Sequence, residues 1–214
     1  GLSNYDFASE SQIICSYTQN GSWHLASLAP ENKQLTKIDL PYTDISSVQV
    51  KGDRLVCLAG SSVEPTAAIV MNIETQAIEI LKRSSSLEID PDYLSKPQAV
   101  AFPTENGLTA YAWYYPPQNR DYTAPEGELP PLLVKSHGGP TAAASTSFNL
   151  RVQYWTSRGF AYLDVNYGGS TGYGRQYRQR LENNWGIVDV DDCVNAAKYL
   201  VKNKKADPNR LAIS

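Results

Sequence analysis

Leu132-Leu133-Val134-Lys135-Ser136-His137-Gly138-Gly139-Pro140 places two glycines directly after a short apolar stretch of strand type. Glycine lets the backbone turn sharply and brings bare N–H groups close to a ligand. A turn of this kind can face a small anionic centre, such as an oxygen that gains negative charge during acyl transfer. His137–Pro140 would also make an ordinary turn, so both interpretations stay open at this point.

Strand and helix patterns alternate around this stretch. The pattern predicts strands at 108–115, 132–135, 160–165 and 211–213, and helices at 147–158 and 187–202. Such alternation indicates an α/β domain with a mainly parallel sheet. Ligands of these sheets bind beyond the carboxyl ends of the strands, which is where His137–Pro140 is expected.

A second glycine-rich loop, Asn166–Gly174, follows the predicted strand 160–165. It matches neither the G-x-G-x-x-G nor the G-x-x-x-x-G-K-[ST] spacing, so no nucleotide site is predicted. Glycines interleaved with tyrosines suit a loop that packs under a pocket while its phenols face that pocket. Tyr167 and Tyr173 are therefore candidates for a substrate pocket, and the alternative is that both only pack against their surroundings.

Three carboxylates, Asp189, Asp191 and Asp192, lie just after Asn184-Trp185-Gly186. They could suggest a metal or acid–base site. Asp189 and Asp192 fall in the first turns of the predicted helix 187–202, where the helix dipole stabilises negative charge. A capping role is therefore predicted for them, and no catalytic one.

The first part of the chain has the pattern of short strands. These are predicted at 13–17, 23–28, 35–38, 48–50, 55–58, 67–73 and 77–81, with turns such as Asn20-Gly21 between them. Gln12–Cys15 realigns with Arg54–Cys57, and a period of roughly 40 to 45 residues with four strands is typical of a β-propeller blade. A small β-sandwich is the alternative.

The serine- and proline-containing stretch 83–103 is predicted to be an interdomain crossing with no core element.

Composition excludes several classes of function. The chain of 214 residues has 19 basic and 22 acidic residues and a net charge of −3, so we expect no nucleic-acid partner. It has no apolar run of the roughly 18 residues that a membrane span needs, and we expect no membrane partner. Three separated cysteines predict reduced thiols and a cytoplasmic location, and two histidines without metal-ligand spacing predict no metal site.

Four motifs in their order and spacing resemble the prolyl oligopeptidase family of serine peptidases. They are Ser136–Pro140, Asn166–Gly174, Asn184–Gly186 with Asp189, and Asp207–Ile213. The His-Gly-Gly-Pro form looks like the acylaminoacyl peptidase and dipeptidyl-peptidase-like branch. One departure is Gly168, where many relatives carry arginine, and this puts in doubt any pocket charge expected from that position.

The resemblance implies a fold and a set of site residues. Residues 1–88 would be the last blades of a β-propeller, and residues 89–214 the N-terminal half of an α/β-hydrolase peptidase domain. Gly139 would supply an oxyanion N–H, Gly138 the oxyanion turn, and His137 a further part of the oxyanion segment. The mechanism of the family needs no cofactor.

The resemblance also implies that the catalytic residues are not among these 214. In the family, the strand at 211–213 leads into a G-x-S-x-G nucleophile elbow, and the Asp and His of the triad follow it. The chain would therefore be part of a serine peptidase acting on short peptides or acylated and aminoacyl peptides through an acyl-enzyme, and inactive alone. An esterase of the same fold and a non-catalytic interaction protein are the alternatives, and self-association of the full-length protein is left open.

Overall fold

The computed structural model describes residues 4–139 and 142–214, and the chain divides into two compact units. The first unit comprises the residues up to Glu88 together with Ser145–Phe148. The second comprises Ile89–Ala144 and Asn149–Ser214. Pro140 of the predicted oxyanion turn lies outside the described residues.

The first unit contains two four-stranded antiparallel sheets, each a simple meander in which neighbouring strands follow one another along the chain. Strands β2–β8 correspond to the seven predicted strands, while β1 was not predicted. The strands of one sheet are β1 (Tyr5–Ser9), β2 (Gln12–Gln19), β3 (Ser22–Ala29) and β4 (Gln34–Ile38), and those of the other are β5 (Asp44–Lys51), β6 (Arg54–Gly60), β7 (Ala67–Asn72) and β8 (Ile78–Arg83).

The turns and the weak repeat fit this arrangement. Asn20 and Gly21 have φ values of 52° and 78°, the left-handed conformation that Asn-Gly favours in a two-residue hairpin. The two repeated segments lie in β2 and β6, the second strand of each sheet. In β6 the side chains alternate strictly, so that Leu55 and Cys57 enter the core while Val56 stays exposed.

The second unit is built on one five-stranded sheet with three helices, and its strands lie in the order β13-β11-β12-β10-β9. Short 3-10 turns occur at Pro91–Tyr93 and Glu105–Gly107. The strands are β9 (Gln98–Pro103), β10 (Thr109–Tyr115), β11 (Leu132–Ser136), β12 (Ala161–Asn166) and β13 (Leu211–Ile213), and the helices are α1 (Leu150–Thr156), α2 (Arg175–Gln179) and α3 (Val188–Lys202).

Three predictions for this unit need correction. The sheet is mixed, because β12-β11-β13 are parallel whereas β9-β10-β12 are antiparallel. The stretch 83–103 does contain a core element, since β9 buries Phe102 to 1% exposure. Helix α1 begins at Leu150 rather than at 147, because the Asn149 side chain accepts the Arg151 N–H and caps the helix there.

Helices cover both faces of the sheet. Cys193, Ala196 and Leu200 of α3 join one buried cluster with the sheet, and Val152 of α1 joins a different cluster on the other face. Strands β11 and β12 are parallel neighbours, with Ser136 opposite Val165. Their carboxyl ends therefore meet at one edge, and the two glycine-rich loops follow side by side.

Asp164 on β12 is a half-buried carboxylate that lies opposite Lys135 in the parallel ladder. Burial raises the pKa of Asp164 to about 6, and Lys135 acts in the opposite direction. The folded state therefore holds the proton more tightly than the unfolded chain, so this group's contribution to stability is present below about pH 4 and is lost as the pH rises to about 6.

We expect Asp164→Asn to increase the free energy of unfolding at pH 8 by up to about 3 kcal/mol and to leave it nearly unchanged at pH 4. Urea unfolding at the two pH values measures this difference. Asp191→Asn, at a half-buried carboxylate on α3, is the matched control. An equal gain at both pH values would contradict the assignment.

Candidate functional site

The oxyanion segment, residues 136–139, begins where β11 ends. Gly139 has φ of +71°, a left-handed conformation that favours glycine. Gly138 and Gly139 are exposed, and within the described part of the chain neither backbone N–H has a hydrogen-bond acceptor. An added Cβ at either glycine would find open space, so no described atom crowds the side-chain direction of this turn.

His137 is held from two sides. Its Nε2 lies 2.6 Å from Ser170 Oγ, and its ring stacks on Tyr167 with the centroids 4.3 Å apart. Ser170 Oγ donates to the Tyr167 carbonyl at 2.7 Å, so His137 Nε2 must carry the proton of their shared hydrogen bond. Burial lowers the pKa of His137, which favours the neutral ring.

Ser170 is the site residue that the sequence analysis missed. Gly168-Gly169-Ser170-Thr171-Gly172 has the G-x-S-x-G spacing of a nucleophile elbow, and this was the signal available. In the structure, however, Ser170 is fully buried and its hydroxyl hydrogen is engaged by a carbonyl. The His137–Ser170 pair is therefore arranged to brace two loops, and its geometry does not suit nucleophilic attack.

Tyr167 lies under the oxyanion segment. It is 6% exposed, and its hydroxyl donates to the Gly139 carbonyl at 3.0 Å. Tyr173 is half-buried, its hydroxyl accepts from Asn166 Nδ2 at 3.1 Å, and its ring stacks on Tyr111 at 4.5 Å. Burial raises the pKa of Tyr173 to about 12. For both tyrosines the role in a substrate pocket stays a prediction.

Asn166 binds the part of the chain that follows the oxyanion segment. Its side chain is fully buried, and Oδ1 accepts the Ala144 N–H at 2.8 Å. The Thr171 N–H adds a bond to the Ala142 carbonyl at 3.0 Å. Ala142 and Ala144 are thus both tied to the end of β12 and the loop that follows it.

The acidic cluster divides into two roles. Asp189 lies in the first turn of α3, as predicted, and its Oδ1 accepts the Gly186 N–H at 2.7 Å just ahead of the helix, although no side chain caps α3 at its N-cap residue Ile187. Asp192 was predicted to cap as well, and that prediction is wrong. It lies in the second turn of α3, where it is 2% exposed and accepts the Gly168 N–H at 2.7 Å instead.

Other features of the described residues concern metals, membranes and thiols. Residues 4–139 and 142–214 bring together no group of three His, Cys, Asp or Glu side chains that could hold a metal ion. No helix in these two stretches has the length and apolar character needed to span a membrane. Cys15, Cys57 and Cys193 are free thiols.

Comparisons with known proteins find a family that matches the C-terminal part of the chain. Residues 146–214 match the sequence profile of the prolyl oligopeptidase family. The chain is 37% identical over 87 residues to an acylamino-acid-releasing enzyme of Arabidopsis thaliana, a match that covers 41% of this chain and 11% of that enzyme. It is 27% identical over 164 residues to a probable dipeptidyl-peptidase 5 of Aspergillus terreus, covering 74% of this chain and 22% of that protein.

A solved structure resembles the whole chain. A puromycin-hydrolyzing peptidase of Mycobacterium tuberculosis superposes with a TM-score of 0.94 and 38% identity, covering 100% of this chain and 33% of that one. The chain thus spans about a third of this structural relative and less than a quarter of the two curated relatives. Residues 146–214 match the prolyl oligopeptidase family, and the resemblance predicted from the sequence motifs is confirmed.

Proposed function

We propose that this chain is part of a serine peptidase that hydrolyses short peptides, including aminoacyl and acylated ones, through an acyl-enzyme. The 214 residues contribute the oxyanion segment, while the nucleophilic serine and its Asp and His partners belong to other parts of the protein. The observation that carries this proposal is the Gly139 N–H, which belongs to an exposed residue and has no acceptor among the described residues.

The surroundings of this N–H support the role. An oxyanion donor must be fixed before the reaction, because reorganisation during the reaction would cost part of the stabilisation it provides. Tyr167 holds the Gly139 carbonyl, and Ser170 holds the preceding His137. Hydrogen bonds thus hold the residues around Gly139, while the Gly139 N–H itself donates to none of the residues that the structure describes.

The Ser170–His137 pair supports the proposal that the nucleophile lies outside residues 1–214. A nucleophilic serine has to reach the substrate and pass its proton to the histidine. Ser170 is fully buried, and its hydrogen bonds run in the opposite sense, from His137 to Ser170 and from Ser170 to the Tyr167 carbonyl. We therefore propose that the chain alone is inactive.

The architecture supports a two-domain protein with the proposed boundaries. We propose that residues 1–88 form the last blades of a β-propeller, as their two meander sheets of four strands suggest. Residues 89–214 would form the first half of an α/β-hydrolase domain, with α1 and α3 on opposite faces of its sheet. Free thiols support the proposal of a cytoplasmic location.

The test is the substrate range of the complete gene product. We expect it to hydrolyse puromycin and aminoacyl p-nitroanilides, because the structural relative is a puromycin-hydrolyzing peptidase. Hydrolysis of p-nitrophenyl butyrate without any amide hydrolysis would show that the protein is an esterase and not a peptidase. Inactivity toward both amides and esters in a folded protein would favour the non-catalytic interaction protein.

A further inference from the structure

Asp192 is an unusual residue for its position. Its side chain is 2% exposed, and within the described part of the chain no Lys or Arg forms an ion pair with it. Removing a carboxylate from water is costly unless hydrogen bonds compensate. Because Asp192 does not cap α3, the two hydrogen bonds that it accepts must compensate for its burial.

Both carboxylate oxygens of Asp192 are used. Oδ2 accepts the Gly168 N–H at 2.7 Å, and Oδ1 accepts the Thr104 hydroxyl. Asn195, one turn further along α3, donates to Thr104 at 3.1 Å. Burial raises the pKa of Asp192, and the bonds from Thr104 and Gly168 act in the opposite direction. The carboxylate thus joins α3 to the loop that follows β12.

Gly168 permits this contact because it has no side chain. A Cβ at position 168 would lie 2.8 Å from Val188 Cγ1 and 3.2 Å from Arg180 Cβ and Cδ. Any side chain would therefore push the backbone away from its neighbours on α3 and the turn after α2. The absence of a side chain brings the Gly168 amide within reach of Asp192.

The anchored amide lies between the two side chains that hold the oxyanion segment. Tyr167 immediately precedes Gly168 and binds the Gly139 carbonyl, and Ser170 follows two residues later and binds His137. The Gly169 N–H adds a bond to the Tyr177 carbonyl at 2.9 Å. A loop fixed at Gly168 and Gly169 has little freedom to shift Tyr167 or Ser170.

We propose that Asp192 is a positioning residue for the oxyanion segment, which it holds through the Gly168 amide and the side chains of Tyr167 and Ser170. The catalytic part of the proposal, that this positioning affects the reaction, rests on the proposed function. The mechanical part, that Asp192 holds the segment in place, does not, because it concerns only contacts within this chain. The two parts are therefore tested by separate measurements.

The mechanical part is tested by NMR of the 214-residue chain with isotope-labelled histidine and glycine. The chain has only His24 and His137, so the two rings are readily distinguished, and His24 is the internal reference. We expect Asp192→Ala to change the His137 ring from the single Nε2–H tautomer to a mixture, and to speed exchange of the Gly168 amide at least about tenfold. Asp192→Asn keeps an acceptor for Gly168 and should preserve both signals.

Controls separate positioning from general damage. Asp191→Ala, at the neighbouring half-buried carboxylate, should leave the His137 ring unchanged. If Asp192→Ala fails to unfold cooperatively, Thr104→Val releases one carboxylate oxygen with less disturbance, and it should still speed exchange of the Gly168 amide. An unchanged His137 ring and Gly168 amide in a folded Asp192→Ala chain would overturn the proposal.

The catalytic part is tested in the complete protein. We expect Asp192→Ala to lower kcat about tenfold with KM within about twofold, because the oxyanion donor acts mainly in the transition state. Asp192→Asn should restore kcat to within about threefold of the wild type. Loss confined to KM would overturn the catalytic part, whereas an inactive wild-type protein would count against the proposed function and leave the NMR result to decide the mechanical part.

Discussion

Replacing the Gly139 amide by an ester in the complete protein is expected to lower kcat by about 10²- to 10³-fold, which corresponds to roughly 3 to 4 kcal/mol. Glycolic acid ligated at position 139 removes the N–H and keeps a residue without a side chain. The backbone can then retain its φ of +71°, which proline could not adopt. KM should change little, because the negative charge on the substrate oxygen develops in the transition state.

Two comparisons make this result specific. The same ligation with glycine controls for the procedure. Gly139→Ala keeps the N–H, and its Cβ meets open space, so only the left-handed backbone should cost about 1 kcal/mol. If the folded ester protein retains the kcat of the glycine control, Gly139 is not an oxyanion donor and the segment is an ordinary turn.

Asn166→Ala is expected to lower the free energy of unfolding of the chain by about 3 kcal/mol. The change leaves the Ala144 N–H without its acceptor and removes the donor to the Tyr173 hydroxyl. Each buried polar group that loses its partner costs about 1 to 3 kcal/mol. Denaturant unfolding of the wild-type and variant chains measures the difference.

Asn203→Ala is the matched control for this loss. Asn203 is exposed at the end of α3 and donates to the Tyr199 carbonyl at 2.8 Å. Its replacement should cost less than about 0.5 kcal/mol, as is usual for surface positions. Similar losses for the two variants would show that Asn166 is not a special link between the loops.

The strand and turn of residues 132–139 were predictable because their signal is local. An apolar strand followed by two glycines leaves few conformations, and the structure indeed has a strand that ends at Ser136 and a left-handed Gly139. The seven predicted strands of the first unit were equally local, since alternation of apolar residues marks each of them. These features depend on neighbours in sequence alone.

Features that depend on distant partners were not predictable in this way. Strand β9 lies in a stretch with few large apolar residues, and it becomes a strand because it pairs with β10. Asp192 has the sequence position of a helix cap, but its partner Gly168 lies on another loop. Ser170 has the spacing of a nucleophile, yet burial and its bond to the Tyr167 carbonyl give it a different role.

The most direct test of the account is to label the complete protein with a fluorophosphonate probe and to locate the modified residue by mass spectrometry. We expect one adduct, on a serine outside residues 1–214, and none on Ser170, whose hydroxyl is buried and engaged. Ser170→Ala should therefore still be labelled. An adduct on Ser170, or a folded protein that takes up no probe at all, would contradict the account.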